Sequence, residues 1–318
     1  MKMQILRTCT ILLILFFYTI LNAQIPSIPK ELKLGSSIHI ETIDGNDFMG
    51  TLIYTDSVLV RIKTEKLGEL SIKKIDIKVI ESIQEIQVHG GAYWYENPNA
   101  GRYLFAPSAY NLREGEGYYQ NIWVFMNQVS YGFTDYFTCG IGIVPLFLFG
   151  SESAQYSPMW VTPKFMFGKG DRKFNFSAGA IAFFVPFGGD ETRGTAGILY
   201  GLGTYGNRNN NLSIGLGWGF ARSQGDGLWG KRPTVNISGM YRLSKSSYLV
   251  TENWFTAFGE GDFVSNNVNV ISGAYRYAGK HASIDLGLFS PIFYENDGFF
   301  ALPWLGVTLP FGKSLSKK

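Results

Sequence analysis

Residues 211–220 read Asn-Leu-Ser-Ile-Gly-Leu-Gly-Trp-Gly-Phe. Leu212, Ile214, Leu216, Trp218 and Phe220 fall on one side of an extended chain, with Ser213, Gly215, Gly217 and Gly219 on the other. Successive side chains of a strand point to opposite faces, so period two predicts a strand with one apolar and one small or polar face. Two further stretches repeat the pattern. Ile284, Leu286 and Leu288 alternate with Ser283, Asp285 and Gly287; Val235, Ile237, Tyr241 and Leu243 alternate with Thr234, Asn236, Ser238 and Arg242. A soluble sandwich alternates too, but it favours Lys, Glu and Thr on its wet face. Here the second face is Gly, Ser and Asn, which suits the crowded inside of a closed barrel with lipid outside.

Working outward from these stretches, twelve strands are expected, near 102–110, 120–132, 136–148, 159–168, 172–186, 194–206, 211–222, 232–243, 247–258, 267–278, 281–292 and 299–311. Short connections alternate with longer ones (111–119, 149–158, 187–193, 223–231, 259–266 and 293–298). Bacterial barrels place short turns on the periplasmic side and long loops outside. This parity puts both chain ends in the periplasm. Tyr103, Tyr136, Phe137, Tyr241, Tyr248 and Tyr277 fall near the expected periplasmic strand ends, where an aromatic girdle belongs.

The chain begins with Lys2 and Arg7, an apolar stretch from Ile11 to Leu21, then Ala23 and Gln24. That is the layout of a secretory signal peptide, expected over 1–23. The apolar run is shorter than the roughly 20 residues needed to span a bilayer. Cys9 precedes the apolar core, so it makes no lipoprotein site. Without the signal, 26 basic residues face 25 acidic ones. A near-neutral chain offers no broad basic surface for nucleic acid. Only Cys139 remains, so no intramolecular disulfide forms. Gly is 38 of 318 residues and aromatics are 16%, both high for a soluble domain.

From Pro29 to Val88 the texture differs, being rich in Ile, Leu, Lys and Glu. Short alternating runs broken at Asp44-Gly45-Asn46, Asp56-Ser57 and Gly68 predict a small, strongly bent sheet of about five strands over 29–88. A linker is expected over 89–98, with a joint at Gly90-Gly91, then the barrel over 99–311 and a polar tail over 312–318. The first part resembles the Sm-like, SH3-type small barrels. Gly35, Ile38, Ile40, Asp44-Gly45, Phe48, Gly50, Leu52, Gly68, Leu70, Ile75 and Ile80 carry the likeness. The RNA-reading positions of that family do not carry over: the matching stretches are Asp56-Ser57 and Lys78-Val79. Residues 24–98 hold 8 basic and 11 acidic side chains, a balance that disfavours a polyanion.

The second part resembles a family of Gram-negative outer-membrane barrels through Asn97-Pro98-Asn99-Ala100, Arg102 to Ala109, and Gly115 to Asn121. The resemblance implies a location and brings no reaction with it. The last strand, ending at Phe311, resembles the terminal signal read by barrel-assembly machinery, although a polar tail follows here.

No set of residues suggests an enzyme, a metal or a cofactor. His39, His89 and His281 are scattered and expected at the surface. A Ser-His hydrolase needs a base that His281, beside the Gly279-Lys280 turn, does not supply. Asp190-Glu191 and Glu260 with Asp262 read as solvated loop charges. Lys164, Arg242, Glu252, Arg276 and Asp285 are the notable charges, because they fall on the less apolar faces of their strands. A charge facing lipid at mid-depth costs roughly 2–4 kcal/mol, so these five are expected inside, as an internal network or the lining of a narrow solute path. Arg276 is expected opposite Ser283, with Asp285 diagonal to it and ion-paired. The expected protein is thus an outer-membrane barrel acting as a narrow channel or transporter. The alternative is a barrel that anchors a small domain docking a periplasmic partner.

Overall fold

The computed structural model describes residues 33–82, 88–89, 92–94, 97–150, 156–184, 194–223, 226–256, 268–279, 281–293 and 300–312. The signal segment, Gly90-Gly91, Asp190, Glu191, Glu260, Asp262, Lys280 and the tail beyond Gly312 lie outside the described residues. The chain falls into two compact units, the second running Glu96–Ser314.

The first unit is a five-stranded antiparallel sheet: β1 Ser37–Thr42, β2 Asp47–Thr55, β3 Leu59–Thr64, β4 Gly68–Lys73 and β5 Ile77–Ser82, ordered β4-β3-β2-β1-β5. Gly45 takes a positive φ of 88° in the β1–β2 turn, where a side chain would be strained. Asp56 closes the next turn by accepting the N–H groups of Val58 (2.7 Å) and Leu59 (2.8 Å). Ile38, Ile40, Leu52, Val60, Ile62, Ile77 and Ile80 form the core, with Phe48, Leu70 and Ile72 packed on it. Ile75, one of the residues that carry the Sm-like resemblance, lies in a 3-10 turn and is 79% exposed. His39 is buried rather than at the surface. It lies on β1, an inner strand paired with β2 and β5, and its Nε2 meets Asp47 Oδ1 at 2.9 Å.

The second unit is a closed barrel of twelve antiparallel strands. They are β6 Glu116–Ile122, β7 Met126–Thr134, β8 Phe137–Ile143, β9, β10 Phe174–Phe184, β11 Gly194–Gly206, β12 Asn211–Ser223, β13 Thr234–Arg242, β14 Ser247–Thr256, β15 Val268–Ala278, β16 Ser283–Phe293 and β17 Leu302–Gly312. Strand β9 has two segments, Met159–Val161 and Lys164–Phe167, both between β8 and β10. Pro163 breaks it, because proline has no N–H for the ladder. β17 pairs with β6 and closes the ring, matching Val307 with Asn121 and Phe311 with Gly117. A Cβ on Gly117 would fall 2.3 Å from the Phe311 ring, so the closing seam needs glycine there.

Burial follows the alternation. Ile214, Leu286 and Leu288 are 54–56% exposed on the outside, while Ser213 and Asp285 are at most 1% exposed. An apolar exterior around a closed sheet is the architecture that crosses a membrane by strands, since no backbone group is left unpaired in hydrocarbon. Tyr136, Tyr241 and Tyr277 stand exposed at the short-turn end, with Phe167, Phe174 and Tyr205. Tyr103 and Tyr248, expected in the same girdle, are instead buried inside.

The first hairpin differs from the sequence reading. Residues 120–132 are not one strand: Trp123 and Val124 turn the chain at positive φ (51° and 69°) between β6 and β7. Asn121 holds the turn by bonding both the N–H and the carbonyl of Val124, and Trp123 Nε1 donates to Pro303 O at 2.8 Å. The expected strand 102–110 is no strand either, and only an isolated Arg102–Pro107 bridge marks it. The strand total and the parity of every later strand are unchanged.

Each unit carries its own core. Ile62→Ala should therefore destabilise the first unit by about 2–5 kcal/mol, the usual cost of a truncated core aliphatic. It should leave the heat-modifiable gel migration of the barrel as it is. Thermal melts read beside gel shifts check this.

Candidate functional site

Segment 97–113 runs inside the barrel. Asn97, Asn99, Arg102, Tyr103, Leu104, Ser108 and Tyr110 are all at most 3% exposed. A chain lying inside a closed sheet finds no ladder partner, because the wall strands already bond one another. Its peptide groups must be satisfied by side chains. The wall supplies them around most of its circumference.

Glu252 on β14 supplies the acceptor. Its Oε2 takes the N–H groups of Leu104, Phe105 and Ala106 at 3.0, 2.7 and 2.7 Å, and its Oε1 takes Trp254 Nε1 at 2.9 Å. Lys164 on β9 supplies the donor. Its Nζ gives to the carbonyls of Gly101 (2.8 Å), Ser108 (2.9 Å) and Tyr110 (2.6 Å). Three carbonyl acceptors match the three donors of an ammonium group. The two anchors grip the segment from walls five strands apart in a ring of twelve.

Arg276 on β15 meets Asp285 on β16 in a fork: Nε to Oδ1 at 2.5 Å and Nη2 to Oδ2 at 2.9 Å. The pair is expected from sequence, but the register differs. Ala278 faces Ser283, which sets Arg276 directly opposite Asp285. The Gly279 N–H to Ala282 O bond continues this register, so the turn is centred one position later than a Gly279-Lys280 loop would place it. Arg276 Nη2 also bonds Tyr103 O, so this pair too touches the inner segment. Arg242 points inward at the short-turn rim. It donates to the carbonyls of Ser244 (3.1 Å) and Lys245 (2.6 Å) and to Asn209 Oδ1 (3.0 Å), and lies over the Tyr248 ring.

The segment contributes its own cation. Arg102 bonds the carbonyls of Tyr103 and Leu104, Asn99 Oδ1 and Thr308 Oγ1, and stacks on Tyr118. Its Nε is buried without a partner. Tyr103 OH reaches Asn211 and Ser213, Asn99 reaches Ser283, Ala109 N–H reaches Thr204, and Leu112 N–H reaches Thr138. Nearly all these wall partners lie toward the short-turn ends of their strands, so the segment fills that half of the lumen. Along β11 the inward residues grow more exposed with distance from this end: Thr204 and Leu202 are buried, Tyr200 is half-buried and Ala196 is exposed.

A cavity of about 40 Å³ remains between the inner segment and the wall from β6 to β11. Gln128, Ser130, Thr138, Thr162, Lys164 and Arg102 are among its lining. That is room for about three waters. Above it Trp160 lies across Gly142, where a Cβ would sit 2.1 Å from the indole, and Trp160 Nε1 donates to Gln128 at 2.7 Å. Among the described residues no cluster of three metal-ligating side chains occurs.

Sequence reasoning missed the inner segment itself. Its signal was present: a lone Arg102 in an apolar run without alternation, set among Asn97, Asn99, Ser108 and Asn111.

The fold and this interior define a twelve-stranded transmembrane β-barrel with an internal segment of its own chain. No known protein family and no curated protein matches the sequence. Solved structures that align with it are barrels of the outer membrane. The NanC porin is 8% identical, with a TM-score of 0.40, covering 61% of this chain and 98% of its own. A loop-deletion mutant of OmpT, an outer membrane protein of Vibrio cholerae, is 10% identical with a TM-score of 0.38, covering 86% and 96%. Salmonella typhi OmpF in complex with daunomycin is 10% identical with a TM-score of 0.34, covering 86% and 95%.

Asp285→Ala leaves the Arg276 guanidinium buried without its carboxylate. The expected loss is about 3–5 kcal/mol, as for other broken buried pairs. Urea titration followed by the barrel's gel shift measures it. A variant as resistant as the wild type would show that the pair carries no stability.

Proposed function

We propose that the protein is an outer-membrane channel for small solutes, in which segment 97–113 narrows the lumen to the cleft beside Lys164. One observation carries the reading: the segment is held by side chains aimed at its backbone, and it leaves a polar cleft along one wall. A barrel of about 12 strands lies between those filled by side chains and those that hold a water channel, and an inner segment sets the width.

Supporting the orientation, the short turns and both barrel termini share one end. On the parity rule that end faces the periplasm, which is the compartment proposed for the first unit. The strand order β4-β3-β2-β1-β5 and the bulge at Glu41/Thr42 favour an Sm-like reading of that unit. A periplasmic protein is its proposed partner. Outer-membrane lipid surrounds the wall, and the closing strand β17, ending in Phe311-Gly312, is the segment the barrel-assembly machinery would read. The proposed activity is passage, not catalysis.

Two measurements test the proposal. The protein should fractionate with outer membranes and migrate faster unheated than boiled; recovery in the soluble periplasm would sink it. In planar bilayers the wild type should pass a small current. Glu252→Ala frees the three amide groups that hold Leu104 to Ala106, and should raise conductance several-fold. Equal conductance would mean that the segment does not set the width.

A further inference from the structure

We infer that the path beside Lys164 selects for small anions, and that Lys164 is the residue that sets this preference; the inference rests on the channel reading above. Among the described residues, the cleft between segment 97–113 and the β6–β11 wall has two cationic residues in its lining, Lys164 and Arg102, and no carboxylate. Its other polar groups, among them Gln128, Ser130, Thr138 and Thr162, are neutral. Lys164 is 5% exposed, and its three hydrogen bonds all run to carbonyls, so dipoles hold the charge without cancelling it. Arg102 is 3% exposed and keeps a buried Nε–H without a partner at the same cleft.

The inward carboxylates nearest in the fold are engaged elsewhere: Glu116, on the β6 strand of the cleft wall, lies 3.6 Å from Arg113 and accepts its backbone N–H at 2.9 Å. Glu252 is committed to the three amides on the far side of the segment. Asp285 is forked to Arg276 and lies 3.6 Å from Arg102, so it offsets part of the Arg102 charge and none of the Lys164 charge at contact range. The low-dielectric walls of a narrow passage amplify an uncancelled charge. A cation entering it meets the ammonium head-on, while a chloride, formate or similar anion gains attraction and hydroxyl donors. The size of the cleft restricts the class to anions of a few atoms unless the segment moves.

The test is the reversal potential of the full-length protein in planar bilayers across a KCl gradient. The wild type should reverse toward the chloride equilibrium potential. Lys164→Gln should shift the reversal toward potassium, and Lys164→Arg should keep it. Lys164 also holds three carbonyls, so Lys164→Gln risks loosening the fold. Thr162→Asp leaves those bonds in place, adds a negative charge to the same lining, and should give the same shift. A cation-selective wild type would overturn the inference, as would a reversal potential that neither Lys164→Gln nor Thr162→Asp moves, while leaving the channel standing. No current from the wild type or from Glu252→Ala would overturn the channel reading, and the inference with it.

Discussion

Hydrocarbon offers no partner to a backbone N–H or carbonyl. Everything else in the barrel follows from that constraint. Each strand from β6 to β17 must be bonded on both sides, and the β17–β6 seam removes the last open edge. Closure at twelve strands creates a second problem. The enclosed space is wider than inward Ser, Gly and Asn can fill, and a void lined by such groups loses contacts. The chain fills half of it with segment 97–113. That segment has peptide groups of its own, buried where no ladder is free, so the wall must carry acceptors and donors aimed inward. The inward charges of the strands are the consequence.

The kind of bond matters for what the interior does. Of the five inward charges read from the strands, Arg276 and Asp285 neutralise each other as an ion pair. Glu252 and Lys164 bond amides and carbonyls, and Arg242 bonds turn carbonyls. A carboxylate accepting several N–H groups is well satisfied without a cation, and an ammonium on three carbonyls is well satisfied without an anion. Such anchors hold a backbone path instead of particular side chains. They hold the segment from far-apart walls, beside the bonds it makes to Asn211, Ser213, Ser283, Thr308 and Thr204.

The barrel was legible where period two is strict. Residues 211–220 of β12, 234–238 of β13 and 283–288 of β16 alternate without a break, and the exposed Ile214 and Leu286 against the buried Ser213 and Asp285 follow that alternation. Legibility failed where tertiary context replaces local signals. The β6–β7 turn uses Trp123 and Val124 at positive φ, with no Gly or Asn-Gly to announce it, and Asn121 and Pro303 supply the support from elsewhere. Segment 97–113 has the aromatic density of a strand, but its wall contacts come from residues 16 to more than 200 positions away. Tyr248 and Tyr103 look like girdle residues by composition. The parity of Tyr248 with Val250 and Glu252 turns it inward, and Tyr103 belongs to the inner segment. The Arg276–Asp285 pair was visible because charge excludes both side chains from lipid, while its register depended on a turn geometry that Gly279 alone does not specify.

The separation of the anchors gives the interior its asymmetry. Had Glu252 and Lys164 faced each other, they would have formed a second ion pair, and the lumen would show little field. Four strands and the inner segment stand between them instead. Each charge is bonded by peptide dipoles, which orient toward it but carry no net charge. The field of Lys164 therefore reaches the β6–β11 side of the segment, and that of Glu252 stays on the other. The cleft of about 40 Å³ lies on the Lys164 side, so the packing of the segment leaves that cleft with a single sign of charge among its described lining residues. A barrel that solves its filling problem with a peptide thus acquires a charge preference in whatever space the peptide does not occupy.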